Sequence, residues 1–481
     1  MKRALSIAVV GFWLVMLGLL VRNTWRTLPP RPSAPAKLEP GERDEWMSVY
    51  RGEQKIGYSH YHSVPEGERV ALTEESLLRV AMLETEQTVR VRLRAHVGSD
   101  YRLQDVEFDL SSGAGNMRAV GVVEGTGLRL TLHTGQDDSE QVLPLNGPVY
   151  VPSVLAALLT THALRPGYRF EALIFDPISF SNGRMSVTVE QEEEVPHRPA
   201  MRAWRVREEF RGVTTTAWID AGGASLREEG PMGFVLVRAT ADQALNADWT
   251  EGTALDLVAS AAVPVGRPIA DARTRASLHL RVSGIAPEQV PSDEEQIRRG
   301  AEVTITRATL GELHSYQLPY SGREHAEEVR ATAFLQSEHP RIQAAAQAAV
   351  GEERDAMRAA IRINDWVYDR LRKVPTVSIP NALQVLDMGA GDCNEHAVLF
   401  AALARAAGLP ARTIAGAVYV DGAFLYHAWC EIWLGRWVSI DPALHQFPVD
   451  ATHIKFIVGG PDEQMGMLAI IGRLGLDVID D

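Results

Sequence analysis

Cysteine is almost missing from this chain: Cys393 and Cys430 are the only two in 481 residues. Two cysteines cannot make the multi-bridge framework of a small secreted scaffold. They form one bridge, or at least one thiol is free for chemistry. Positive charge is short as well. Lys and Arg number 48 against 62 Asp and Glu, a formal net charge of -14, so there is no basic excess for nucleic-acid phosphates. No repeat of fixed period is present. A phosphate-binding glycine loop is missing too, since "GAGD" at 389–392 lacks the Lys-Ser/Thr ending. These absences exclude a disulfide scaffold, a charge-driven nucleic-acid binder, a solenoid and a P-loop nucleotide enzyme.

What is present describes a large folded body. Apolar residues make up 46% and charged residues 23%, and the length suits two or three domains. The run Ala4 to Val21 carries no charge and is just long enough to span a bilayer as a helix. It ends in "VRNTW" with no small-x-small cleavage site, so residues 1–25 read as a retained signal anchor rather than a cleaved peptide. Lys2 and Arg3 favour a cytoplasmic N-terminus, with Arg22, Arg26, Arg31 and Lys37 on the other flank opposing it. The expectation is a single-pass inner-membrane protein whose body faces the periplasmic, extracytoplasmic side. Residues 26–42, "RTLPPRPSAPAKLEPGE", form a Pro-rich, semi-rigid linker.

Residues 43–245 alternate apolar and polar at period two in "TEQTVRVRLRAHV", "RLQDVEFDL", "RMSVTVEQ" and "FVLVRAT", separated by turns such as "SSGAGN" and "DAGGA". That pattern predicts a large antiparallel β region with one short helix at "VPSVLAALLTTHAL". Residues 246–335 hold a second β segment or connector. From 336 to 481 the text changes to helix and then strand. Helical spacing runs through "RIQAAAQAAVGEERDAMRAAIRINDWVYDRLRKV", with Ile361, Ile363, Trp366, Val367 and Leu371 as the core-facing stripe.

In "GAGDCNEHAVLFAALARAAGLPAR", Asp392 is an N-cap residue and Glu395 stands three positions later, an Asp-x-x-Glu capping box. Gly408 and Pro410 end the helix near Ala407. Cys393 is therefore the first helical residue, where free N–H groups and the helix dipole favour a thiolate and could receive an oxyanion. A small buried core thiol fits the same stretch, and the stretch alone leaves both readings open. Downstream, "FLYHAWCEIWLGRWVSID" is a hairpin candidate in which His427, Trp429, Glu431 and Trp433 share one face and Tyr426, Ala428 and Cys430 the other. A three-residue loop with Gly435 at positive φ would pair Ile432 with Arg436 and set Asp441 opposite His427 on that face. A two-residue turn would send Asp441 to the other face.

The ordered motifs "GDCNEHAVLFAALARAAGLPAR", "YHAWCEIW" and "WVSIDPAL", with "VDATHIKF" after them, resemble the bacterial transglutaminase-like superfamily over about residues 335–461. The resemblance implies an α+β chain: a β-rich N-terminal region, then a papain-like domain with a helix-borne cysteine packed on an antiparallel sheet. It makes Cys393 the nucleophile, His427 its base and acid, and Asp441 the group that orients the imidazole. The implied reaction is thiolate attack on an amide of a peptide or protein through a thioacyl enzyme, without cofactor or metal. A peptidase or amidase leads. A cross-linking acyltransferase, a non-catalytic protein-interaction module, and a β-rich region binding a lipid or envelope ligand are the alternatives.

Other residues carry weaker expectations. Cys430 is a core residue facing away from His427, His396 packs in the helix, and Asp450 is a reserve for Asp441. Gln384 is a candidate second oxyanion donor. Trp429, Trp433 and Trp437 either wall a cleft or pack the hairpin. His60 and His62 lack the partners of a metal site.

Overall fold

The computed structural model describes residues 42–480 apart from 84, 114, 135–136, 160–163, 247–248, 250–253 and 377. The expected anchor and nearly all of the linker lie outside the described residues. Among the described residues, no helix is long and apolar enough to cross a membrane. The chain divides into two compact units, one holding Glu86–Leu255 with the strands before it, the other Asp256–Asp481.

The first unit is built on a 16-stranded sheet. Its period-two text becomes one-sided burial: in Thr85–Gly98 the residues Val89, Val91, Leu93, Ala95 and Val97 are buried while their neighbours face out. Strands from Arg43–Arg51 to Asp137–Pro144 follow one another across the sheet in chain order. A second series then runs back from Val149–Tyr150 to Phe234–Ala239, which pairs antiparallel with Arg43–Arg51. The unit's first and last long strands are thus neighbours.

In the second unit, the helices between residues 340 and 406 lead into the strands that carry the site: α1 (Pro340–Val350), α2 (Ala356–Arg370), α3 (Ala382–Met388) and α4 (Cys393–Ala406). Gly351, at φ 62, separates α1 from α2. The buried stripe of α2 is Ala356, Ala359, Ala360, Ile363, Asn364 and Val367. Ile361 and Trp366, expected in that stripe, are only half-buried; Trp366 instead carries the Arg370 guanidinium over its ring at 5.2 Å. α4 is buried along nearly its whole length and contacts α1, α2 and α3 as well as the sheet. Its alanines permit that close approach from every side.

The strands are β1 (Ala411–Val420), β2 (Ala423–Trp433), β3 (Trp437–Ile440) and β4 (His453–Val458). β1 and β2 form a two-residue hairpin at Asp421-Gly422, both at positive φ, the geometry that matches strand twist. β1 lies between β2 and β4. On its other edge β2 pairs with Val263–Pro264 near its start and with β3 near its end. Among the described residues, 425–429 of β2 therefore have no strand on that edge, and this gap is where α4 begins. Gly416 of β1 must be glycine: a Cβ there would sit 2.2 Å from the Ile454 carbonyl and 2.4 Å from the Trp429 ring. Trp429, Phe400 and Phe424 are fully buried, each stabilising the unit by about 1.5–3 kcal/mol. A separate four-stranded sheet joins Gln296–Arg299, Glu302–Thr306, Ser277–Ser283 and the final strand Gly475–Asp480.

Candidate active site

Cys393 opens α4 as the capping pattern requires. Asp392 Oδ1 accepts the Asn394 amide at 3.0 Å, and Glu395 Oε2 accepts the Asp392 amide at 2.9 Å. The cap is buried and locked further by Thr376, whose amide donates to Asp392 Oδ2 at 3.3 Å, and by the Ser378 hydroxyl on Glu395. Cys393 has 0% of its surface exposed. Its sulfur receives the Ala428 amide from the open edge of β2. The expectation of a thiol made acidic by the helix start is not met. Burial pushes the thiol well up, the Asp392 carboxyl adds to this, and the Ala428 amide only partly opposes them. The helix dipole acts on a fully buried sulfur with an acid at its own cap.

The hairpin that brings the next two residues differs from its expected register by one step of two. Trp433 pairs with Trp437 and Ile432 with Val438, around a loop of Leu434, Gly435 and Arg436. Gly435 has φ 78, and the Leu434 amide donates to the Arg436 carbonyl at 2.9 Å. Ile432 therefore does not pair with Arg436, and Asp441 lies beyond the last ladder pair, diagonal to His427. A shift of two residues keeps the face, so the carboxylate still reaches the imidazole: His427 Nε2 and Asp441 Oδ2 are 2.6 Å apart, both groups fully buried. The other Asp441 oxygen accepts the amides of Ala443 and Leu444 at 2.8 Å each. His427 Nδ1 has no hydrogen-bond partner among the described residues. The charge of Asp441 is felt at the Cys393 sulfur. The structure thus places a thiol at the start of α4, and binds a strand histidine through one ring nitrogen to a carboxylate, the other nitrogen having no partner among the described residues.

Residues 343–442 match the sequence model of the transglutaminase-like superfamily. The match begins in α1, takes in the whole of α4, and ends one residue after Asp441. This region is a transglutaminase-like domain. Among solved structures, the chain is similar to a proposed cysteine protease from Cytophaga hutchinsonii, with 16% identity, 42% of this chain and 81% of that one covered, and a TM-score of 0.29. It is also similar to a β-barrel-like protein with a domain of unknown function from Brucella abortus, with 12% identity, 41% and 94% coverage, and a TM-score of 0.32. A proposed protease from Parabacteroides distasonis matches at 10% identity, 68% and 64% coverage, and a TM-score of 0.20. All three likenesses are distant. Comparison with curated proteins gives no match.

The transglutaminase-like domain places the other candidate residues as follows. Asp450 does not reach His427; it binds His453 and Arg273. Cys430 is a free thiol that donates to the Ala397 carbonyl at 3.1 Å, and Cys393 is free as well. His396 is buried, with Nδ1 2.5 Å from the Asp392 carbonyl, and burial lowers it to about 4. Gln384 belongs to the cap of α3, its Oε1 accepting from Asn381 at 3.3 Å. Trp429 packs against Gly416 and edge-on to His453, while Trp433 and Trp437 form a T-shaped pair at 5.5 Å. In the other unit, His60 and His62 are tied to the carboxylates of Asp44 and Glu42.

Sequence reading missed His453, Lys455 and Glu295, all placed by contacts distant in sequence. His453 Nε2 lies 3.1 Å from Asp441 Oδ2. Ligand-capable atoms of His427, Asp441 and His453 fall within 4.8 Å of one another, with Asp441 Oδ2 shared between the two imidazoles as a hydrogen-bonded network. The fragment "VDATHIKF" held the only local signal, an Asp and a His three apart at the start of a strand.

Glu295 gives a pH prediction. Its carboxylate accepts the Ser439 amide of β3 at 3.2 Å, and burial, with Glu431 adding and Lys455 opposing, raises it from 4.5 to about 7. The folded state therefore holds this proton more tightly than the unfolded chain. Its ionisation costs nothing below about pH 4.5, and the cost grows until about pH 7. Glu295→Gln is expected to stabilise the domain by roughly 2 kcal/mol more at pH 8 than at pH 5. Hydrogen exchange of the β2 and β3 amides at the two pH values reads this, and an equal effect at both would contradict it.

Proposed function

We propose that the transglutaminase-like domain is a thiol enzyme that cleaves peptide or protein amides through a thioacyl intermediate. The observation that carries this is the buried 2.6 Å contact of His427 Nε2 with Asp441, which leaves Nδ1 as the ring nitrogen free to serve the thiol. Cys393 sulfur attacks the amide carbonyl while its proton passes to His427 Nδ1. The C–N bond then breaks as that proton moves to the leaving amine, and water or a second amine takes the acyl group from sulfur. Asp441 holds the imidazole in the tautomer and orientation this requires. The Cys393 amide at the start of α4 is an oxyanion donor. A neutral resting thiol follows from its burial, so the proton leaves only as attack begins. With all three side chains at 0% exposure, substrate reaches the sulfur when the covering segments part. The uncharged run Ala4 to Val21 supports an anchored body outside the cytoplasm.

The test uses peptide amides, with and without an added primary amine, and the full chain beside Cys393→Ala. Amine or ammonia release that depends on Cys393 is expected. Free acid as product identifies a peptidase or amidase. Incorporation of the added amine identifies acyl transfer, the reading a cross-linking enzyme would give. No Cys393-dependent release and no thioester trapped at Cys393 would leave the domain a binding module.

A further inference from the structure

Asp441 serves two imidazoles at once. Its Oδ2 lies 2.6 Å from His427 Nε2 and 3.1 Å from His453 Nε2. The far side of the His453 ring is also turned to oxygen: Nδ1 is 3.2 Å from the Asp450 carbonyl and 3.3 Å from Asp450 Oδ1. A neutral imidazole has one N–H. One of these contacts would then set a nitrogen lone pair against oxygen lone pairs, in a place where His453, Asp441 and Asp450 are all buried. Both nitrogens can donate only if the ring is an imidazolium. The far carboxylate is itself braced. Asp450 accepts from Arg273 at 3.1 Å, from Gln446 Nε2 at 2.9 Å, and from the Thr452 amide and hydroxyl at 2.8 and 2.5 Å. Trp429 stands edge-on to the His453 ring at 5.3 Å.

We propose that His453 is a positioning residue: a buried imidazolium that clamps Asp441 in the rotamer that orients His427 and cancels part of its charge. This rests on the reading of Cys393 and His427 as nucleophile and base. The charged groups facing the ring are Asp441 and Asp450, with His427 beyond the first and Arg273 beyond the second. Burial alone would discharge the ring, but the two carboxylates outweigh it and raise His453 to about 9. Asp441 is held well below the usual carboxylate range, burial being overcome by its two histidines. A bare Asp441 would hold the Cys393 proton more tightly, since its charge reaches the sulfur. The positive ring beside it offsets part of that charge.

The experiment follows Cys393 alkylation by iodoacetamide across pH, by mass spectrometry, in the full chain and in His453→Gln. The carboxamide can still donate to Asp441 but carries no charge. The maximal rate is expected to fall about tenfold, with the pH profile of Cys393 labelling moving up by about half to one unit. Nitrogen-15 spectra of histidine-labelled wild type, with His453 assigned from its loss in the variant, are expected to show both ring nitrogens protonated at pH 7.5. A slower reaction with an unmoved profile, or a neutral His453 ring, would overturn the proposal alone. Equal Cys393 labelling in wild type and His427→Ala overturns the catalytic reading, and the positioning role with it.

Discussion

Replacing His427 by alanine is expected to slow alkylation of Cys393 by iodoacetamide at pH 7 by about a hundredfold or more. The thiol has no other route to ionisation. Burial and the Asp392 carboxyl push it well up, and the one amide on its sulfur does not compensate, so an unassisted Cys393 is almost wholly protonated at pH 7. His427 offers a ring nitrogen without a partner among the described residues, its ring fixed by Asp441 through the other nitrogen. Asp441→Asn is expected to act in the same direction, because a carboxamide can turn its NH2 to Nε2 and select the wrong tautomer. Cys430 is the internal control: its thiol is spent on the Ala397 carbonyl, and its labelling should not change in either variant. Equal Cys393 rates in wild type and His427→Ala would return Cys393 to the class of buried core thiols.

That prediction rests on residues whose placement was largely legible. The cap Asp392, the capping-box partner Glu395 and the helix end at Gly408 are local signals, and α4 runs Cys393–Ala406 as they require. Faces in a hairpin are nearly as local. The loop set the register two residues from expectation, yet parity alone kept Asp441 on the side of His427. What could not be read is whatever depends on pairs distant in sequence. Nothing near Arg43–Arg51 announces that Phe234–Ala239 will lie beside it. Nothing near Arg273 points to Asp450. The thiol's ionisation was misjudged for the same reason: a helix start is local, but burial against the Ala428 segment of the sheet is not. Ile361 and Trp366 failed as core residues because the alanine-rich face of α2 packs on α4 instead.

The largest stability loss is expected from Lys455→Met. Lys455 is a β4 lysine with 3% of its side chain exposed, on the ladder that holds His453. Its ammonium meets Glu431 of β2 and lies 2.6 Å from Asp293. Burial would lower it, but these carboxylates outweigh that and raise it. Methionine fills similar volume and leaves Glu431, wholly buried, with only Arg412 at 2.6 Å. Breaking a buried pair from one side costs about 3–5 kcal/mol. The remaining Arg412 contact places this case near about 3 kcal/mol. Adding Glu431→Leu should recover most of the loss, since it removes the stranded charge and relieves Glu295, which Glu431 helps to raise. Arg412 can bear that change because its guanidinium also lies 3.9 Å over the Trp437 ring and reaches solvent. Hydrogen-exchange free energies of the β1 and β4 amides in the full chain measure both variants. Recovery in the double variant would mean the pair fixes which partner sits where rather than adding net stability, whereas a further loss would mean that the ions themselves hold β4, and with it His453, against the sheet.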